Sequence, residues 1–566
     1  MACRFLINND LKNLRGENLN NPSNSKVLNI KKSFYIVSFY GFIGLNFLSA
    51  QINPARKHQT TAFKNPIIWA DAPDLSITRN GEDFYLISTT MHLMPGAPVM
   101  HSRDLVHWEM ASYVFNNLND NSKYDLLNGT VYGRGQWASS IRYYKGKYYV
   151  LFSPNDEPFK SYFYVTDNPE KGEWKLITRT RHFHDASLFF DDDDKVYVFT
   201  SNKVFELSPD FKEVIGNPEG TVVFQKDSTE TGLLEGNQII KKDGKYYMMM
   251  ISWPRGEKRR QVVYRADQVT GPYEKKVILE DNFLGFSYAG QGALIDDKNG
   301  NWYSLIFQDR GGVGRVPILI PVKWENDWPI LGDNGKIPLS GEVPLPPFKP
   351  KNNIVESDDF SGKKMKIQWQ WNHNPINEAW SLSERKGFMR LKTSRIVDNI
   401  YAAPNTLTQR MAGPKSDAVI ALDLKGMKDG DVAGFSAFNG DSGLLSIVKE
   451  GNQKFLTFST NEVSLDAKTK AITRVKKDEK KRIPLSSDKI FLRIQADFNL
   501  GKDIADFSFS TDQKNWIGMA EDYKMIFDYR RLFMGSKFAI FNYATKSTGG
   551  FVDVDFFRIT DSSSIK

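Results

Sequence analysis

At 566 residues the chain is too long for a single hydrophobic core, so at least two domains are expected. A content of 40% hydrophobic and 13% aromatic residues excludes a disordered chain. The single cysteine, Cys3, excludes a disulfide framework, a thiol nucleophile and a cysteine metal site in the body of the protein. Half of the net charge of +8 resides in Met1–Ala50, and no stripe of Lys/Arg interleaved with aromatics supports a nucleic-acid partner.

Residues 1–50 form an N-terminal extension. Within it, Lys31-Lys32, the apolar run Ser33–Phe47 and the small-residue end Leu48-Ser49-Ala50 read as a secretory signal, which predicts a secreted or periplasmic protein. An uncleaved anchor is the alternative reading, and no other stretch could span a bilayer as a helix. Gln51–Lys64 reads as a leader.

From residue 65 to 339 one pattern is written five times: a short apolar strand, a turn of Gly, Asp, Asn and Lys, then a second strand rich in aromatics. LEGNQIIKKDGKYYMMMIS from Leu234 shows it best. The other copies begin at Pro73, Ser139, Asp185 and Gln291. Aligned on a tyrosine of the second strand they give Tyr85, Tyr149, Tyr197, Tyr247 and Tyr303, 48 to 64 residues apart. A strand-only repeat of that period predicts a five-bladed β-propeller. The first strand of each blade lies nearest the axis, where counting back from the tyrosines places Asp74, Ser139, Asp185, Glu235 and the pair Gly290-Gln291. Three of these five positions hold carboxylates, and they converge on one funnel.

Residues 340–353 (SGEVPLPPFKPKNN) are too proline-rich to join a sheet and read as a linker. Residues 354–566 hold alternating segments such as Ala418–Leu424, Phe491–Phe498 and Phe551–Ile559. With almost no helical periodicity, they read as a β-sandwich of jelly-roll, concanavalin-like type. The basic run Lys476–Arg482 reads as a solvated hairpin loop.

Taken together, PDLSI, PGAPVMHSRDLVHW, GQWASSIRYYKGKYYV, HDASLFFDDD, LEGNQIIKKDGKYYM and FQDRGGVGRVPILIPVKWENDWPIL resemble glycoside hydrolase family 43. Its members are propeller enzymes, chiefly β-xylosidases and α-L-arabinofuranosidases. DDFSG, WQWNHNP, NTLTQRMAGP and DGDVAGFSAF resemble the sandwich attached to many of them. Glycosidic cleavage needs one protonated acid and one ionised carboxylate across the sugar ring. The resemblance implies Asp74 as general base, Glu235 as general acid and Asp185 as the group that tunes and orients the acid. It further implies inversion at the anomeric carbon. An ionised Asp185 would raise the proton affinity of Glu235. Asp71 lies close enough to compete with Asp74, but only Asp74 is in register with the repeat.

Trp137, Trp69 and Trp253 lie near strand starts or loops on the carboxylate side and suit the apolar faces of a pentose, although each could equally pack between blades. By resemblance Arg315 belongs at the floor of the sugar site. His92 is expected to line the mouth, and Gln291 falls in the funnel. His182-X-His184 is too sparse for a metal site and reads as a structural histidine pair. The acid run Asp191–Asp194 reads as solvated surface. The chain departs from the family at Leu75, Ala186 and Ser139, where proline is usual, and at Gly290-Gln291, where many members carry a histidine associated with a cation. No cofactor is needed for the chemistry, and the missing histidine argues against an axial calcium, leaving a structural Ca2+ as a minor alternative. The expected substrate is a plant polysaccharide or oligosaccharide, with the arabinofuranosidase reading favoured over xylosidase. The competing reading is a non-catalytic carbohydrate-binding propeller, against which the presence of all three acids speaks.

Overall fold

The computed structural model describes residues 59–286 and 289–561. The signal-like segment 31–50 and most of the leader lie outside the described residues. No helix among the described residues is long and apolar enough to cross a membrane.

Five antiparallel sheets follow one another along the chain, with inner strands Ser76–Asn80, Gln136–Tyr144, Ser187–Phe190, Leu233–Lys242 and Ala289–Asp296. Successive strands pair outward from the axis, except that in the third sheet Val214–Ile215 and Thr221–Val222 both pair with Lys203–Leu207. What makes this a ring is the packing. Each of five apolar clusters is shared by two neighbouring blades, and the last joins Leu305 and Tyr303 of blade five to Ile77 and Leu86 of blade one. The repeated tyrosine explains itself here. Tyr85, Tyr149, Tyr197, Tyr247 and Tyr303 each sit in the seam between their own blade and the next, so the motif recurs because the seam recurs.

The leader and linker differ from their sequence readings. Thr61–Lys64 pairs antiparallel with Ser340–Val343, so the start of the linker joins a sheet after all. Its prolines begin only at Pro344, past the paired residues, and leave the ladder's N–H groups intact. Phe63, Val343 and Leu345 then bury themselves in the cluster that closes blade five on blade one.

The sandwich consists of an eight-stranded and a seven-stranded sheet around one core that includes Trp369, Phe435, Ile494, Phe538 and Phe557. The edge strand of the larger sheet, Leu93–Met94, comes from the propeller and pairs with Gln370–Asn372. The two domains therefore share a sheet. Lys476–Arg482 is no loop but part of the long strand Ile472–Leu485, which ends that sheet at its other edge. Exposed lysines there discourage pairing with another chain.

Candidate active site

The inner-strand pairing explains how the three acids arrive together. The pairs Ser76↔Ile87, Ser187↔Phe199 and Gln238↔Met249 are equivalent across blades one, three and four. Two residues before each first partner stand Asp74, Asp185 and Gly236, all with left-handed backbone (φ 56°, 45° and 74°). Asp tolerates that conformation better than most residues, and Gly does so freely. At Gly236 a Cβ would lie 2.3 Å from Cδ of Gln291. The acid of blade four therefore sits one residue earlier, at Glu235, across a bulge, and the longer Glu side chain covers the added distance. The same count corrects blade two. Ser140 pairs with Leu151, so the level of the acids is held by Trp137-Ala138 rather than Ser139.

The acids have different surroundings. Asp74 is buried and accepts a hydrogen bond from Nη1 of Arg315 at 2.9 Å. Burial pushes its carboxyl up, and Glu235 and Asp71 add to this against the pull of Arg315. Asp185 is also buried and is pushed up to about 7, first by burial and then by the Glu235 charge, with His184 opposing. The Glu235 side chain, by contrast, is 33% exposed at the mouth.

His184 is the unexpected neighbour. Its Nε2 lies 3.5 Å from Oε2 of Glu235 and 3.9 Å from Oδ1 of Asp185, and its side chain is 45% exposed. The hydrogen bond to Glu235, with the Asp185 charge, pushes the imidazole up to about 9. It is thus a charged group of the mouth rather than half of a structural pair. His182 only stacks beside it, 6.3 Å between ring centres.

Arg315 lies against Asp74, with its guanidinium 5.2 Å from the Phe307 ring and 4.2 Å from that of Phe533. Trp137 joins the site too, its ring 5.9 Å from His184 and 6.2 Å from Phe533. Gln291 is buried against Gly236 and supports the Glu235 turn from behind. Trp253, at the end of the second strand of blade four, lies under Arg259, which ion-pairs with Asp309. Trp69 does not open into the same space. It is wedged between Arg310 and Gly413 at the sandwich junction. His92 does not line the mouth. Fully buried beside the shared strand, it meets Oδ1 of Asn372 at 3.1 Å and packs on Tyr132 and His373, and burial pushes it down to about 3, a neutral ring. Asp71 is fully engaged, with both its oxygens occupied by Arg315, Gly535 and Lys537. Of the acid run, Asp192, Asp193 and Asp194 are exposed, whereas Asp191 is buried against Lys241 and Tyr246.

The axis below the acids does not suit a calcium ion. The buried guanidinium of Arg142, from blade two, already crosses it, donating to Ser76 of blade one, Ser187 of blade three, and Gln238 and the Ile239 carbonyl of blade four. A second cation beside it would be repelled. His184, Asp185 and Glu235 do bring ligand atoms within 4.8 Å of one another, as do His101, Glu109 and Glu170, but Lys351 already ion-pairs with the second group.

Sequence reasoning passed over Phe533 and Arg142. Phe533 carried no signal, being some two hundred residues past the propeller and outside its repeat. Arg142 did, as the one charged residue at a level where the other inner strands place Thr78, Phe189, Ile240 and Ile295.

Comparison with known proteins agrees with this architecture. Residues 63–329 match the model of glycosyl hydrolases family 43, and residues 357–560 match the beta xylosidase C-terminal concanavalin A-like domain. A beta-xylosidase of Formosa agariphila is 29% identical, covering 87% of this chain and 89% of its own length. A non-reducing end alpha-L-arabinofuranosidase of Bacteroides ovatus is 31% identical, covering 62% of this chain and 68% of its own. Among solved structures, a bifunctional GH43-CE protein of Bacteroides eggerthii superposes with a TM-score of 0.80 at 39% identity. That match takes in 89% of this chain, which spans only 64% of the longer protein. The chain belongs to glycoside hydrolase family 43.

Proposed function

We propose that the protein is an inverting, exo-acting glycosidase. It removes terminal α-L-arabinofuranosyl or β-D-xylosyl residues from plant cell-wall polysaccharide outside the cytoplasm, as the signal-like segment suggests. The observation that carries this reading is the convergence of three carboxylates from three blades in unequal surroundings. Asp74 draws a proton from a water molecule as its oxygen attacks the anomeric carbon. Glu235, at the open side, gives its proton to the glycosidic oxygen as that bond breaks. Burial makes Asp74 a stronger base than a surface carboxylate, while the Arg315 hydrogen bond favours its ionised form. Asp185, pushed up to about 7 by burial and by the Glu235 charge, stands beside the acid as the group that tunes and orients it. The flat Trp137 ring offers a face to the sugar.

The relatives above carry both names, beta-xylosidase and arabinofuranosidase, so the test runs nitrophenyl α-L-arabinofuranoside and β-D-xyloside in parallel. Release of nitrophenol from at least one, lost in Glu235→Gln, is expected, and NMR of the released pentose should show the anomer opposite to that of the substrate. A folded protein inactive on both pentosides and on arabinoxylan would leave only sugar binding. A product with retained configuration would remove the water-activating role of Asp74.

A further inference from the structure

The mouth of the pocket does not end at the propeller. From Glu235 a row of rings leads away: His184, with Nε2 3.5 Å from the carboxylate; Trp137, 5.9 Å from His184 between ring centres; Phe533, 6.2 Å from Trp137; and Tyr529, 6.3 Å from Phe533. The last two belong to the sandwich. Tyr529 is 58% exposed and borders a groove of about 650 Å3, along with Glu462, Ser464, Lys470, Asp528 and Arg530.

An exposed aromatic ring on a slack loop would mean little. This loop is held. Arg531 ion-pairs with Asp441 and Asp528, and Nζ of Lys470 donates to the Arg530 carbonyl at 2.9 Å. The Arg530 guanidinium lies 5.4 Å from the Tyr529 ring centre. The Lys470 carbonyl in turn accepts from Oγ1 of Thr130, on the propeller segment that leads to Trp137. The ring is thus fixed relative to the pocket before any ligand arrives, which lowers the ordering cost of binding. A half-wet aromatic face beside mixed charged and hydroxyl groups matches the two-sided chemistry of a sugar ring, apolar on its C–H face and polar at its edge.

We infer that the groove beside Tyr529 is a distal binding site for the sugar chain that carries the residue being released. The inference rests on the hydrolase reading for its direction. The bond that breaks must lie against Glu235, so the rest of the substrate leaves the pocket past His184, along the row of rings. The occupant is a neutral oligo- or polysaccharide segment several sugars from the cleavage point. Part of the sandwich's work is then to hold the polymer while the propeller cuts it.

The test compares substrates that differ in reach. In Tyr529→Ala, kcat/KM for arabinofuranosylated xylo-oligosaccharides should fall roughly three- to tenfold further than kcat/KM for the nitrophenyl pentoside, with Tyr529→Trp restoring the ratio. Equal losses on both substrates, or none on either, would overturn the site. A second readout does not depend on turnover. Glu235→Gln protein should bind the same oligosaccharides by calorimetry, and adding Tyr529→Ala should weaken that binding by a similar factor. Calorimetric affinity indifferent to Tyr529 would count against the groove even in a fully active enzyme. Tyr529-dependent affinity in a protein with no hydrolytic activity would uphold the groove and refute the hydrolase reading.

Discussion

Asp71 and Asp74 are three residues apart, both buried and both bonded to Arg315, yet they carry opposite electrostatics. At Asp71 burial alone would raise the proton affinity, but Lys537 and Arg315, with backbone donors from Arg315 and Gly535, hold the carboxyl below its ordinary value. Nothing is left for it to do except join the propeller to the sandwich. At Asp74 the pull of Arg315, with a smaller one from Thr89, is not enough to offset burial, and the carboxyl is pushed up. Reactivity in this pocket follows from how few partners a buried acid has, not from the acid itself.

The sharpest way to break the comparison is to neutralise each member. Asp74→Asn removes the proposed base while leaving the shape, and should cost far more in kcat, about 10²–10⁴-fold, than in stability. Asp71→Asn should do the reverse. It strands the buried Lys537 ammonium, which Asp71 meets at 3.2 Å, and should cost about 3–5 kcal/mol in denaturant unfolding. Replacing Lys537 by Met in the same chain should recover part of that loss, because the stranded charge leaves with it. Asp71→Asn protein that is as stable as wild type but inactive would mean the two roles have been assigned the wrong way round.

Asp185 extends the comparison along the pH axis. Its folded value of about 7 lies above the 3.8 of an unperturbed Asp, so between those values the folded protein holds a proton that the unfolded chain has lost. The Asp185 contribution to stability must therefore decline as pH rises from about 4 to 7, and level off above. Asp185→Asn lacks this penalty. Its melting temperature should exceed that of wild type by a margin that grows across that window, worth at most a few kcal/mol. In wild type the pH profile of kcat/KM should bend near pH 7, where the buried Asp185 carboxyl titrates beside the site. A melting difference that stays flat with pH would place the raised proton affinity elsewhere.

Which parts of this were legible in the sequence follows from what repeats. The seam tyrosines and strand–turn–strand units recur because each blade solves the same packing problem, so five copies could be aligned from residues alone. The carboxylates could be found because they sit at equivalent levels of that repeat. Where one blade departs from the common frame, counting failed. The bulge in blade two shifts the level from Ser139 to Trp137, and no sequence signal marks it. His92 was misplaced for a different reason. Its segment leaves the propeller to become an edge strand of the sandwich sheet, a pairing between residues some 280 positions apart. Charge environments were the least legible. The ring of His184 is charged because of acids fifty residues on as well as next door, and only folding brings them together.

The smallest effect concerns Phe533, where the sandwich enters the pocket. Its ring covers the Arg315 guanidinium at 4.2 Å, and its carbonyl lies 3.4 Å from Nη2 of the same residue. A cation over an aromatic face is worth about 0.5–2 kcal/mol, and the ring also keeps water from the Asp74–Arg315 pair, where a higher local dielectric would weaken the bond. Phe533→Ala should therefore lower kcat/KM for a nitrophenyl pentoside about two- to thirtyfold, and Phe533→Tyr should retain most of the activity. The size of the first effect measures how far the pocket belongs to both domains. If Phe533→Ala is silent, Arg315 needs only its own blade to hold Asp74, and the sandwich adds nothing to the floor of the pocket beyond the structural clasp at Asp71.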